Sequence, residues 1–590
     1  MNRHSITAAV HAPAGKSLSV SVGQYSCAGR KSLNQDRMAT RLPDDLELAV
    51  KGVVLAVADG ISSSECSEVA AETAVTAFIA DYYATPEAWT TKTSARRVIE
   101  AINSWLYAQN RHARTVDMNR GLVCTLTVLI LKAREAHIFH VGDSRVSRFR
   151  EGHIEPLTED HVSIVSESEQ YLGRAMGAQE RVDIDYRRLP LRPDDVFLLS
   201  TDGVHEYVGG RELAEALQEA SLEKAAQRLT ALAMAAGRPD NLTAQLVRVD
   251  SIPLELPPPA NGDDLLPLPG ALGPGDSIDG FRLLRDVYKT ERSHLLLATD
   301  PSGARVALKL PGSEARGNPD HLQRFAYEEW IAARIASAHV VKAAKCNQQR
   351  SAAYVALQWI EGMTLRQWIH DHPSPSLDEV RAIVEQIARG LQALHRREMI
   401  HQDLRPENIM IDRDGTAVII DLGSVAVAGI EEVAPGVLGT LPGTFQYTAP
   451  EYLAGDIISW RADQFSLAVM TYEMLAGRLP YGANAGRVRS RRDQQRLKYQ
   501  RADVGERAIP PWVDFALARA CHRDPMRRYD VLSEFVADLR SPSTRFQPRA
   551  LRPLAERSPL RFWKTLAFLQ ALTIALLLVL WLRAGGPASA

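Results

Sequence analysis

The stretch from His401 to Gly423 constrains this chain more than any other. It reads His401-Gln-Asp-Leu-Arg-Pro-Glu-Asn-Ile-Met-Ile, then Asp412-Arg-Asp-Gly, and ends Val418-Ile-Ile-Asp-Leu-Gly423. One acid, Asp403, precedes an amide, Asn408, by five residues, and a second acid, Asp421, closes an apolar run. Most Asp and Asn clusters are polar loops leading into a strand. This one has the order and spacing that phosphoryl transfer needs: a carboxylate to take the proton of an attacking hydroxyl, and oxygen ligands to hold Mg²⁺ on nucleotide phosphates.

The rest of the chain is long enough for more than one such unit. At 590 residues it has room for about three or four domains, each able to bury a core. Its 69 Lys and Arg balance 71 Asp and Glu, so nothing global argues for nucleic acid and no nucleic-acid partner is expected. Cys27, Cys66, Cys124, Cys346 and Cys521 include no Cys-x-x-Cys pair, which disfavours a disulfide framework or a zinc site and points to a reducing compartment. The N-terminus lacks an apolar run of signal-peptide length.

Between residues 18 and 250, short apolar or β-branched runs at 53–57, 123–131, 137–141, 196–199 and 243–249 alternate with Ala-rich helical stretches at 67–83, 94–114 and 212–236. The strands come in adjacent sets, so antiparallel sheets with flanking helices are expected, an α+β fold. Acids recur at turns and strand ends: Asp36, Asp59 before Gly60, Asp143, Asp202 before Gly203, and Asp240. A single Asp-Gly is usually a turn. Five such acids converging on one sheet edge would repel unless hard cations neutralised them, so a site for two or more Mg²⁺ or Mn²⁺ ions is expected.

These residues resemble the metal-dependent protein phosphatase 2C family over about 23–249. The matching pieces are Asn34-Gln35-Asp36, Val57-Ala58-Asp59-Gly60, Cys124-Thr125, Val141-Gly142-Asp143-Ser144-Arg145, Thr158-Glu159-Asp160-His161, Ser200-Thr201-Asp202-Gly203 and Asp240-Asn241-Leu242-Thr243. The resemblance implies a four-layer α-β-β-α sandwich that hydrolyses phosphoserine and phosphothreonine. In it Asp59 would bridge two metals, Gly60 would add a carbonyl, and Asp202 and Asp240 would complete the direct shell. Asp36 would hold a water on a metal, and Asp143 with Asp202 and Glu206 would form a looser third site. The chain departs from the family in carrying Lys31, beside Arg30, where a phosphate-binding Arg is usual; either could clamp the substrate phosphate. Ile61 stands where animal members often place His.

Residues 251–277 contain seven prolines and read as a semi-rigid spacer outside either core. From 278 to 540 the chain resembles the protein kinase superfamily, near the bacterial serine/threonine kinases, which implies a two-lobed fold. By that resemblance Lys309, in Val306-Ala-Leu-Lys309, would meet the nucleotide phosphates and pair with Glu328, or failing that Glu329. Leu357 and Trp359 would lie where the lobes join beside adenine. Asp403 takes the base role, Asn408 and Asp421 hold Mg²⁺, and Arg405 stands where a Lys usually contacts the γ-phosphate. Glu451 and Arg528 would pair, and Asp463 would brace the catalytic loop. No glycine lies between Leu284 and Leu297, where the family has a Gly-rich loop over the phosphates, so a pseudokinase stays open as the alternative. Gln402 replaces the Arg that reads activation-loop phosphate, so weak dependence on phosphorylation of Thr440 or Thr444 is expected.

Residues 565–582 are 18 in a row without a charge, about 27 Å as a helix, close to the ~30 Å of bilayer hydrocarbon. Trp563 and Trp581 bracket them. In the 541–564 segment and at Arg540, seven Arg and Lys face one acid, Glu556, whereas beyond the apolar run only Arg583 is charged. The positive-inside rule then predicts a single-pass inner-membrane protein with cytoplasmic catalytic domains and its C-terminus outside. The sequence thus points to a membrane-tethered enzyme that uses ATP and Mg²⁺ to phosphorylate protein Ser/Thr, and two or three Mn²⁺ or Mg²⁺ ions to dephosphorylate phosphoproteins, its own kinase domain included. The alternative is an active phosphatase whose kinase-like domain is a docking or nucleotide-sensing module.

Overall fold

The computed structural model describes residues 17–61, 64, 66–112, 121–166, 169–237, 240–253, 266–291, 293–313, 319–344, 349–433, 446–453, 458–482, 488, 490–504, 507, 509–547 and 559–583. The first unit is built on two antiparallel five-stranded sheets. One has the order β1 (Ser19–Cys27), β12 (Leu242–Ser251), β11 (Val196–Ser200), β6 (Arg145–Arg150), β7 (His153–Pro156). The other runs β10 (Asp185–Pro190), β5 (Glu135–Val141), β4 (Leu126–Lys132), β3 (Val53–Ala58), β2 (Arg37–Arg41). A small hairpin, β8 (Val162–Ser166) with β9 (Glu169–Leu172), stands apart.

Strand alternation explains the layers. On β3 and β4, Leu55, Val57, Leu129 and Leu131 meet Phe197, Leu199, Val247 and Val249 of the facing sheet. Their neighbours Val54, Ala56, Val128 and Ile130 pack on helices Ser67–Ala84 and Thr91–His112. Leu198, Ala244 and Leu246 do the same against helices Gly210–Ala216 and Leu222–Ala235 on the other side. Two strands buried on both faces leave no polar alternation to read, and the result is the four-layer α-β-β-α sandwich. The single helix expected at 212–236 is two, because Ser221 caps a new start by accepting from the Lys224 amide.

The second unit has two lobes. A five-stranded antiparallel sheet, β13 (Ser277–Ile278), β14 (Phe281–Lys289), β15 (Ser293–Thr299), β16 (Arg305–Pro311), β17 (Val355–Gln358), carries helix Pro319–Arg334. The other lobe is helical around Leu377–His395, which opens on a Ser376/Glu379 capping box, and the buried Arg461–Ala476. The spacer is not wholly outside the cores: Pro267 accepts from the Ala353 amide at 2.9 Å and Leu272 packs on the core of the first lobe. Helix Pro559–Arg583 contains, at Phe562–Trp581, the one span among the described residues long and apolar enough to cross a membrane, and none of it is buried against the chain. Thr440, Thr444 and residues 548–558 lie outside the described residues.

Candidate active sites

The five acids of the first unit do collect at one edge of the sandwich. Asp59 follows β3, and its backbone exchanges two hydrogen bonds of 2.8 Å with Thr125, just ahead of β4. Gly60 has no room for a side chain: a Cβ would lie 2.8–2.9 Å from Ser67 at the start of its helix. Asp36 precedes β2 and is buried; the hydroxyls of Thr201 and Thr243 donate to its Oδ2 at 2.9 and 2.7 Å. Asp202 opens the turn after β11 and accepts from the Gly203 amide at 2.7 Å. Asp143 lies between β5 and β6, and Asp240 precedes β12, where Lys31 forms an ion pair with it. The other candidate clamp, Arg30, donates instead to the Gly237 carbonyl at 3.3 Å. Sequence reasoning assigned no role to Asn241, whose amide group donates to the Ala28 and Leu33 carbonyls and accepts from the Gln35 amide, fixing the loop that carries Asp36.

Electrostatics agrees with the crowding. Burial, then Asp36, Asp202 and Asp143, drives the Asp59 pKa well above the carboxylate range. Burial and Asp202 push Asp143 up to about 7, and burial and Asp240 push Asp202 up to about 6. Burial also raises Asp36. Asp36 Oδ1 is buried with no protein donor, while Asp59 is within hydrogen-bond reach of the same carboxyl. Among the described residues no three His, Cys, Asp or Glu side chains close on a single point as a finished ligand set. The acids are close enough to raise one another's pKa values, and the buried Asp36 oxygen without a protein donor fits a requirement for cations.

A prediction follows with a definite sign. These folded-state pKa values lie above the unfolded value near 3.8, so metal-free folded protein binds extra protons and its stability falls as pH rises from about 4 to about 7. Added Mn²⁺ or Mg²⁺ is therefore expected to raise the melting temperature more at pH 8 than at pH 5. Thermal scans with cation and with chelator check this, and an equal rise at both pH values counts against the site.

In the second unit Lys309 on β16 reaches Glu328 at 2.7 Å and Asp421 at 3.3 Å. Burial works against the Lys309 charge, but Asp421 and Glu328 outweigh it and hold the ammonium protonated, while Lys309 in turn holds Asp421 low despite burial. Glu329 pairs instead with Arg350, which settles the choice of partner between the two glutamates. Asn408 donates to the Asp403 carbonyl at 2.8 Å and to its carboxylate at 3.2 Å, and burial raises the Asp403 pKa. Gln402 is held at φ +66, a left-handed conformation costly for a side chain. What holds it is Asp463, which accepts from the His401 and Gln402 amides at 2.9 Å and from His395 at 2.8 Å. Arg405 lies beside Glu407 at 3.3 Å. Leu357 is buried at the lobe junction, and the Arg285 guanidinium lies 5.7 Å from the centre of the Trp359 ring.

In the glycine-free hairpin the strand pairing is irregular. The pairing of β14 with β15 shifts register between Leu283 and Arg285 and again between Asp286 and Tyr288. Bulges of this kind turn a strand without glycine. Further down, Arg528 makes two bonds of 2.6 Å to Glu451, both side chains nearly inaccessible. Arg528→Ala is expected to cost about 3–5 kcal/mol, because it strands a buried carboxylate. Urea unfolding of the full chain measures it; a loss under about 1 kcal/mol would show the pair to be dispensable.

Comparison with known proteins bears on both units. Residues 23–249 match the family model described as Protein phosphatase 2C, and residues 293–537 that described as Protein kinase domain. The chain is 24% identical over 275 residues to the serine/threonine-protein kinase PrkC of Bacillus subtilis, covering 45% of this chain and 41% of that protein. It is 31% identical over 242 residues to PknL of Mycobacterium tuberculosis, covering 40% and 58%. The chain thus spans about two-fifths to three-fifths of the length of these relatives. The solved serine/threonine phosphatase Stp1 of Staphylococcus aureus aligns with a TM-score of 0.35 at 22% identity, over 41% of this chain and all of that one. The chain carries a domain of the protein phosphatase 2C family followed by a domain of the protein kinase family.

Proposed function

We propose that the chain is a bifunctional signalling enzyme, transferring the γ-phosphate of ATP to protein Ser/Thr and hydrolysing phosphoserine and phosphothreonine. The observation that carries the first activity is the joined set Lys309–Glu328–Asp421 beside the bonded pair Asp403–Asn408. Asp403, its pKa raised by burial, is placed to accept the hydroxyl proton, while Lys309 fixes phosphate oxygens and Asn408 keeps the carboxylate oriented. Asn408 and Asp421 are the oxygen donors for Mg²⁺. In the other domain Asp59, Gly60, Asp202 and Asp240 are the candidate ligands for two Mn²⁺ or Mg²⁺ ions, with Asp36 and Asp143 as outer members. Bound cations would neutralise phosphate charge at both sites and lower the pKa of the attacking water in the phosphatase. Lys31, already drawn to Asp240, is the nearer of the two phosphate clamps.

The domain limits that support this reading are 18–250, 278–540 and the membrane span 565–582. We place that span in the inner membrane with both catalytic domains cytoplasmic, on the excess of Arg and Lys on its N-terminal side. Release of the full chain by alkaline carbonate would remove this assignment. The second reading, an active phosphatase with a non-catalytic kinase-like domain, is favoured by the hairpin without glycine. The deciding experiment follows labelled γ-phosphate into protein in the Asp59→Asn chain, where the phosphatase cannot erase the product. No transfer above the Asp59→Asn/Asp403→Asn level would select the second reading.

A further inference from the structure

The two catalytic domains touch, and the contact falls on the parts of the kinase that control its activity. The phosphatase segment between helices Ser67–Ala84 and Thr91–His112 inserts into the kinase so closely that Ala88 is part of the kinase hydrophobic core. The Gly429 amide donates to the Ala88 carbonyl at 2.9 Å. A Cβ at Gly429 would meet the backbone oxygens of Trp89, Ala88 and Glu87 at 2.7–3.0 Å, so only glycine allows this approach.

Charge does the rest. Helix Thr91–His112 has no acid in its own first turn. The kinase supplies two: Glu398 accepts from the Thr90 amide at 2.8 Å and the Thr93 hydroxyl at 2.6 Å, and Glu432 accepts from the Thr91 amide and hydroxyl at 2.9 and 2.8 Å. Carboxylates at a helix N-terminus satisfy its free amides and its dipole. Glu432 also pairs with Lys132, at the end of β4, at 3.1 Å, with both side chains less than a tenth exposed. Burial opposes the Glu432 charge, but Lys132, His137 and the Thr91 donors more than offset it. The buried Lys132 finds its carboxylate partner on the kinase.

Each kinase anchor belongs to a controlling element. Glu432 and Gly429 lie on helix Ala428–Val433, which starts the activation segment just beyond Asp421-Leu-Gly423. Glu398 is two residues before Ile400, whose strand leads into the catalytic loop. Arg334 ends helix Pro319–Arg334 and is tied to phosphatase Glu87 at 2.8 Å, while Glu328 on the same helix makes the pair with Lys309. That Lys–Glu pair must be in place for phosphoryl transfer, and helix position controls it. We propose that the phosphatase domain is an activating clamp on the kinase: its 85–93 segment and Lys132 hold helix Pro319–Arg334 and the start of the activation segment in the arrangement in which Lys309 meets Glu328.

The proposal rests on the kinase reading above, and its test separates the two. Gly429→Val blocks the approach sterically and Glu432→Lys reverses the buried charge; both are made in the full-length Asp59→Asn chain. γ-Phosphate transfer to a generic protein substrate, casein, is measured together with amide hydrogen exchange at residues 91–95 and 327–334. Both variants are expected to lose about tenfold or more in transfer rate and to exchange faster at both sites. Unchanged or faster transfer with loosened 91–95 amides would overturn the clamp, since undocking would then not disable the kinase. Unchanged exchange would overturn the docking contact itself. If the parent transfers no phosphate the kinase reading fails, and exchange at 327–334 still decides whether docking holds that helix.

Discussion

Asp403→Asn, in the Asp59→Asn chain, is expected to lower γ-phosphate transfer to protein by about 10²–10⁴-fold, the usual contribution of a positioned general base. The amide keeps the volume of the carboxylate and can still meet Asn408, so the lobe should fold and bind nucleotide as before. The bond from Asn408 at 3.2 Å and burial fix the carboxylate where an incoming hydroxyl would meet it, which is why the loss belongs to turnover and not to the Michaelis constant for ATP. Single-turnover rates and nucleotide affinity measured side by side check the split. A rate within threefold of the parent would mean that Asp403 takes no proton.

Asp59→Asn in the otherwise unaltered chain is expected to remove phosphatase activity on a phosphothreonine peptide by about a thousandfold or more, several kcal/mol of barrier. Asp59 is the acid that Asp36, Asp143 and Asp202 all act upon, so it lies at the centre of the charge that cations must balance. Its loss should also lower the affinity for Mn²⁺, read by calorimetry, whereas Ile61→Ala beside it should leave that affinity intact. Retained activity at saturating Mn²⁺ would assign the bridging role to another acid. The same variant reports on self-dephosphorylation: an unchanged phosphorylation state in the active full-length chain would exclude its own kinase domain as a substrate. The interface lies at the Lys132 end of β4 and the acids at the Thr125 end, about 20 Å apart along the strand. Dephosphorylation of the kinase domain is therefore expected to occur between two chains rather than within one.

Much of both sites was legible because their chemistry uses short motifs whose neighbours in sequence are neighbours in space. Asp403 and Asn408 sit on one loop, and Asp59-Gly60 and Asp202-Gly203 each end a strand with its own apolar signature. Sequence alone leaves Glu329 as a fallback for Glu328, since it has the same chemistry one residue on; the helix phase turns Glu328 toward Lys309 and Glu329 toward Arg350. The holders of Asp36 were harder still. Thr201 just follows β11 and Thr243 lies on β12, 42 residues apart, and threonines at such positions carry no mark of such a role. The absence of glycine between Leu284 and Leu297 is plain in the sequence, but the two register shifts of β14 depend on pairing with β15.

By itself, then, the sequence pointed to the two sets of candidate site residues, the layered and two-lobed architectures that carry them, and an uncharged apolar span at 565–582. Local pattern suffices for these, because strand ends, catalytic loops and long uncharged runs are specified by contiguous residues. Only the tertiary structure decided that Ala88 belongs to the kinase core and that Glu398 and Glu432 complete the first turn of a phosphatase helix more than 300 residues away. The physical reason is that a helix N-terminus lacking an acid of its own, or a lysine at a strand end, is an open requirement that many distant groups could meet. Packing alone selects which one does.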